Sequence, residues 1–266
     1  MNAFSSESLS DNRKSKIKNP KSLGFLAIVF TLAFGVGALA QQPARIAQIG
    51  YLQAGSAASA SNLEALHREL RSLGYIEGKN ITFVSRSAET KYDRLPALAD
   101  ELVRLKVDVI VTPGSNDTRA AKNATKTIPI VFLGAVSDPV SLGLVESLAR
   151  PGGNITGFTT IGSVLAGKRL EILKETIPNL SRVAVLWNPE NEGSAQVWKE
   201  SQLPAKELSL QLHSMAVNSV DKFEGGFQEA VKARSGALAV TGGALIANNQ
   251  KQNVKLAAIN RLPAIY

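Results

Sequence analysis

The residues suited to chemistry recur in one kind of place, directly after short apolar, β-branched runs. They are Gln53 and Ser56, then Thr112, Ser115 and Asn116, then Asp138, then Asn188 and Asn191, and finally Thr241. These side chains donate and accept hydrogen bonds, and no nucleophile is paired with a base among them. The chemistry they suit is reversible capture of a small polar molecule. Bond-making chemistry has little to work with. The chain has no Cys, which excludes disulfides, thiolate catalysis and Cys-based metal sites. Its two His, His67 and His213, fall inside a helical and a strand segment rather than at strand ends. Neither G-x-S-x-G nor H-E-x-x-H occurs. No catalytic residue, cofactor or metal ion is expected.

Each candidate also has a structural use. Ser115 and Asn116 fit the start of a helix, Asp138 before Pro139 fits an N-cap with proline behind it, and Asn188-Pro189 fits a turn. Backbone N–H groups from Ser115 to Thr118 suit a ligand carboxylate, but Asp117 adds negative charge at that point. Tyr51 and Trp187, near strand ends, suit either ring stacking or core packing.

Positioning such residues requires strand–elbow–helix units, and one stands out. Val107–Val111 reads as a strand buried on both faces, Thr112–Asn116 as a polar elbow, Asp117–Lys126 as a helix, and Ile130–Phe132 as the next strand. Ligands of open parallel sheets bind at such elbows. The unit recurs: Val240-Thr241-Gly242-Gly243 answers Val111–Gly114, and Leu262–Tyr266 answers Ile128–Phe132. Ile46–Leu52 is likewise echoed by Val183–Pro189. Two similarly ordered α/β halves predict two lobes across a cleft.

Between these units the spacing predicts helices after Ser56, with Leu63, Leu66, Leu70 and Leu73 on one apolar face, over Tyr92–Lys106 and from Asp138-Pro139 to about Arg150. Pro151-Gly152-Gly153-Asn154 is the clearest boundary, and Ile155–Thr159 reads as a hinge strand crossing between lobes. Further helices are expected over Ser163–Thr176, Gly193–Leu208 and Asp221–Ala233, with Pro204 kinking or splitting the second. The expected domains are a signal peptide at 1–40, an N-terminal lobe at 44–153 and a C-terminal lobe at 154–266.

The formal charge is +8, unevenly spread. Residues 1–22 hold five Lys/Arg against Glu7 and Asp11, so they carry +3 and leave +5 for the rest, mixed in sign along the helices. A solvated surface and no nucleic-acid partner are expected. Behind the basic segment come the apolar residues Leu23–Val36 and then Ala38-Leu39-Ala40, the pattern of an export signal cleaved before Gln41. The mature chain is expected in the periplasm.

With these residues laid out, the chain resembles the substrate-binding proteins of bacterial ABC transporters, nearest the tryptophan/tyrosine type. The matching segments include Arg71–Asn80, Tyr92–Ala99, Leu105–Val111, Ala124–Phe132 and Ala184–Pro189, and the most specific is Asp138–Gly157. The resemblance implies an α/β fold of two doubly wound parallel-sheet lobes joined by a hinge, of the periplasmic-binding-protein type I kind. It implies capture of a small molecule, an amino acid being one candidate, and delivery to a membrane permease by a monomer. The family continues past Leu262–Tyr266 with a further strand and helix, so the resemblance implies a chain lacking those last pieces. Two other readings stay open. One is a periplasmic sensor partnering a membrane receptor, and the other is an exported hydrolase.

Overall fold

The computed structural model describes residues 46–56, 61–135, 138–160 and 162–266. The export signal read at 1–40 lies outside the described residues. Ile46–Tyr266 forms one unit containing two parallel sheets. Its first half runs β1 (Ala47–Gln53), α1 (Ser61–Ser72), β2 (Ile81–Ser87), a 3-10 turn at Tyr92–Arg94, α2 (Leu95–Arg104), β3 (Val109–Gly114), α3 (Ser115–Ala124), β4 (Ile130–Ala135) and β5 (Ile155–Phe158). Its second half runs α4 (Ala166–Thr176), β6 (Arg182–Trp187), α5 (Glu192–Glu207), β7 (Gln211–Ala216), α6 (Lys222–Lys232), β8 (Ala237–Val240), α7 (Ala244–Asn248), α8 (Gln250–Ile259) and β9 (Ala264–Ile265).

The first sheet has the order β2-β1-β3-β4-β5 and the second β7-β6-β8-β9, every pair parallel. Position for position, β6 stands where β1 stands and β8 where β3 stands, as the internal echo predicts. Helices cover both faces of each sheet, so successive strand residues enter different cores. In β1 and β3, Leu52 and Ile110 pack with Leu98 and Leu102 of α2, while Tyr51 and Val111 pack with Leu63, Leu66 and Leu70 of α1. In the second lobe, Leu186 and Leu238 meet Phe223 and Phe227, both fully buried. Truncating either phenylalanine to alanine removes about 3–5 kcal/mol. Val183 and Ala237 face α4 and α5 on the other side through Leu170, Leu173 and Ala205.

Four expectations need correction. Asp138–Arg150 is not a helix. Asp138 Oδ1 accepts the N–H groups of Val140 and Ser141 at 3.1 and 3.0 Å, and Leu142 N–H closes one turn onto Asp138 O. Gly143 then takes φ +64, outside the right-handed helical region, and Leu144 and Val145 turn into the core. Ile155–Phe158, carried into the second lobe by the Gly153/Asn154 boundary, instead pairs with β4 at the edge of the first sheet. Pro204 does not split its helix, because it lies in the last turn of α5, whose end is three residues on. Leu73, placed on the apolar side of α1, is 73% exposed beyond the helix end.

Candidate ligand-binding cleft

In each sheet the strand order reverses beside one pair of strands, β1/β3 in the first and β6/β8 in the second. At such a point the chain leaves the two strand ends in opposite directions, and the gap between them is a crevice. The elbows there are Gln53–Ser56, Pro113–Asp117, Asn188–Asn191 and Thr241–Ala244. Together they enclose a cavity of about 870 Å³, with Tyr51, Gln53, Gly55, Ser56, Gly114 and Asp117 on one side. Asn191, Gly243, Ala244 and Asn248 line the other side. The volume suits a small organic molecule. A neighbouring hollow of about 640 Å³ shares Asn62, Gly243, Ala247 and Gln250 with it and is lined by Thr241 and Arg169.

The most unusual group in the cavity wall is Asp117. It lies in the first turn of α3, only 2% exposed, and its Oδ1 has no hydrogen-bond partner. Desolvation raises its pKa to about 7, while the backbone N–H groups of Ala54, Gly114 and Asp117 itself pull the other way. Tyr51 is also buried, with an unpartnered hydroxyl. Burial and then the Asp117 charge push its pKa up to about 12. Tyr92 is raised to about 12 as well, chiefly by burial, and its hydroxyl accepts from Asn191 Nδ2 at 3.4 Å. The Ser115 hydroxyl, beside Asp117, is buried without a partner.

Around this cavity the lobes touch directly. Asn116 Nδ2 donates to the Glu190 carbonyl at 2.9 Å, and its Oδ1 accepts from Asn191 Nδ2 at 3.2 Å and Glu192 N–H at 3.1 Å. The Arg119 guanidinium pairs with the Glu192 carboxylate and also donates to Leu142 O. Gln196 donates to the Ser141 hydroxyl. On the second lobe Asn191 caps α5 by accepting Ser194 N–H at 2.8 Å, which holds its amide over the cleft. Gly243, at φ +114, keeps the β8 elbow against Asn191, where an added Cβ would lie 3.0 Å from the amide carbon.

Two lobes, parallel sheets of matching order and a polar cavity at facing elbows define a binding-protein architecture. The sequence profile of the ABC transporter substrate binding proteins matches residues 56–266. This chain belongs to that family. Among its relatives is a tyrosine-binding protein of Clostridioides difficile (strain R20291), 35% identical over 127 residues. That match covers 48% of this chain and 36% of the relative, so it spans about a third of the relative's length. Among solved structures, a conserved domain protein from Vibrio cholerae O1 biovar El Tor strain N16961 is similar at TM-score 0.75 and 26% identity, over 83% of this chain and 73% of that one. The ABC domain in complex with L-Trp from Streptococcus pneumonia shares the fold at TM-score 0.70 and 22% identity, over 82% and 72%.

Within this substrate-binding fold, the residues expected to touch ligand divide into three groups. Gln53, Ser56 and Asn191 line the cavity, and Thr241 lines the adjoining hollow. Asn116 lies at the cleft but spends its amide on the opposite lobe. The others lie outside both linings. Thr112 is fully buried with its hydroxyl on that of Thr118, and Asn188 Oδ1 accepts Glu190 N–H inside its own turn. Asp138 caps the turn described above, and Ser115 is buried at the start of α3 with its hydroxyl unpartnered. Asp117 and the α7 face at Ala244–Asn248 line the cavity without having been expected there, and Tyr51, for which ring stacking is one of two sequence readings, lines it as well. Asp117 had a legible signal, an acidic residue exactly where a helix start invites an anion.

Proposed function

We propose that this protein is the extracytoplasmic solute-binding component of an ABC importer, taking an amino acid between its lobes and presenting it to a membrane permease. The carrying observation is the cavity at the facing elbows of both sheets. A solute held there contacts both lobes, so it stabilises the closed arrangement over the open one. The permease partner then distinguishes loaded from empty protein by shape. The tyrosine-binding relative supports an amino acid as solute, and the basic, apolar and Ala-Leu-Ala segments at the N-terminus support export. The domains that follow from this reading are a leader at 1–40, a first lobe that runs through β5 and a second lobe from α4 onward.

A thermal-shift screen of the protein against amino acids and small organic acids tests the proposal. A solute at about 100 times its Kd stabilises the fold by about 2.7 kcal/mol, a rise of roughly 5–10 °C in Tm. Stabilisation by no solute, together with turnover of ester or peptide substrates, would overturn it.

A further inference from the structure

The first lobe's side of the cavity is built to receive positive charge. A helix start ordinarily offers free N–H groups and a positive dipole end to an anion. At the start of α3 that place is taken by the protein's own carboxylate. Asp117 folds back over Gly114, so that a Cβ on that glycine would lie only 3.0 Å from Asp117 Oδ2. A ligand carboxylate brought here would meet a like charge in a poorly solvated wall. The free Oδ1 of Asp117 instead offers an acceptor, and the unpartnered Tyr51 hydroxyl, close enough to feel its charge, can accept through its oxygen lone pairs. An ammonium group carries three donors and no acceptor, the complement of that arrangement.

We propose, building on the solute-binding reading, that Asp117 is the recognition group for a cationic amine of the solute, with the Tyr51 hydroxyl as a second acceptor. The charged groups around it agree. Glu64 from α1 adds a second carboxylate to the cavity lining, and Lys251 from α8 is the cation on the same wall among the described residues. Tyr92 faces from the 3-10 turn through Asn191, and Arg119 and Glu192 are paired with each other. Lys251 is placed to answer a carboxylate at the solute's other end. Because the empty site holds Asp117 near half-protonation at neutral pH, docking of an amine drives off the proton.

Isothermal titration of the full chain at pH 7, in two buffers of different ionisation enthalpy, tests this with three probes. These are L-tyrosine, tyramine and 3-(4-hydroxyphenyl)propionate. L-Tyrosine and tyramine are expected to bind with proton release, and the amine-free acid roughly 30-fold more weakly or worse. Asp117→Asn is expected to lose binding of both amines by a similar factor and to abolish proton release, while the ligand-free variant melts no lower than wild type. Equal binding of the amine-free acid, or unaltered L-tyrosine binding by Asp117→Asn, would overturn the amine site and leave the solute-binding reading standing. Binding of none of the three by folded protein overturns it too, and the broad solute screen then judges the solute-binding reading separately.

Discussion

Asn191 Nδ2 donates to Asn116 Oδ1 across the cleft at 3.2 Å, joining the start of α5 in one lobe to the start of α3 in the other. The same Oδ1 accepts the Glu192 N–H, and the Asn116 amide nitrogen reaches the Glu190 carbonyl. One side chain thus reads three groups of the opposite lobe and sets the register in which the halves meet.

Asn116→Ala removes these contacts only from the closed arrangement. Each such bond is worth about 0.5–1.5 kcal/mol net, and water replaces it in the open form. Solute affinity is expected to fall roughly tenfold with little change in the Tm of the empty protein. Titration calorimetry and melting check the two quantities, and small-angle scattering at a subsaturating solute concentration is expected to show a larger radius of gyration than wild type.

Asp117 gives stability a distinct pH dependence. Its folded pKa of about 7 lies above the ordinary 3.8, so the folded state holds the proton more tightly than the unfolded chain. Stability is then greatest at acid pH with respect to this group and declines as pH rises from about 4 to 7, flattening above. The loss is on the order of a few kcal/mol. Urea unfolding at pH 5 and pH 8 is expected to show this decline in the wild type and its absence in Asp117→Asn.

Tyr51→Phe separates stability from binding. The hydroxyl is buried and unpartnered, so the empty protein gains nothing from it. The variant is expected to melt at or above the wild-type temperature yet bind an amine-bearing solute about 3- to 10-fold more weakly, because one acceptor is gone. Parallel melting and titration decide it.

Gly55 is a wedge position. A Cβ there would already stand 3.6 Å from Ala244 Cβ and 3.7 Å from Asn248 Nδ2. Gly55→Phe fills the space the second lobe occupies on closing, so solute binding is expected to be lost while each lobe keeps its core. Circular dichroism checks the fold, and titration checks the binding.

Much of this organisation was legible in the chain. Ile110-Val111 and Val183–Leu186 are buried on both faces, and the apolar runs that hold them announce parallel strands with elbows behind them. The helical reading of Asp138–Arg150 failed because Asp138-Pro139 and the following apolar residues mimic a helix start, while tertiary burial of Leu144 and Val145 prevails over spacing. The cleft was legible only in part. Strand-end position picks out Gln53, Ser56 and Asn191, but partners such as Asn116 and Asn191 lie 75 residues apart and no local pattern links them. Nor does spacing reveal that Asp117 is buried while Asp138 merely caps a turn.

The central claim is that a solute sits between the lobes at the facing elbows. A crystal structure of the protein with L-tyrosine, or with whichever solute the screen finds, measures this directly. The account predicts density in the cavity touching the β1 and β3 elbows at Tyr51 and Asp117 and the β6 and β8 elbows at Asn191 and Gly243. Density confined to one lobe, or on the outer surface with the cavity empty, would contradict it.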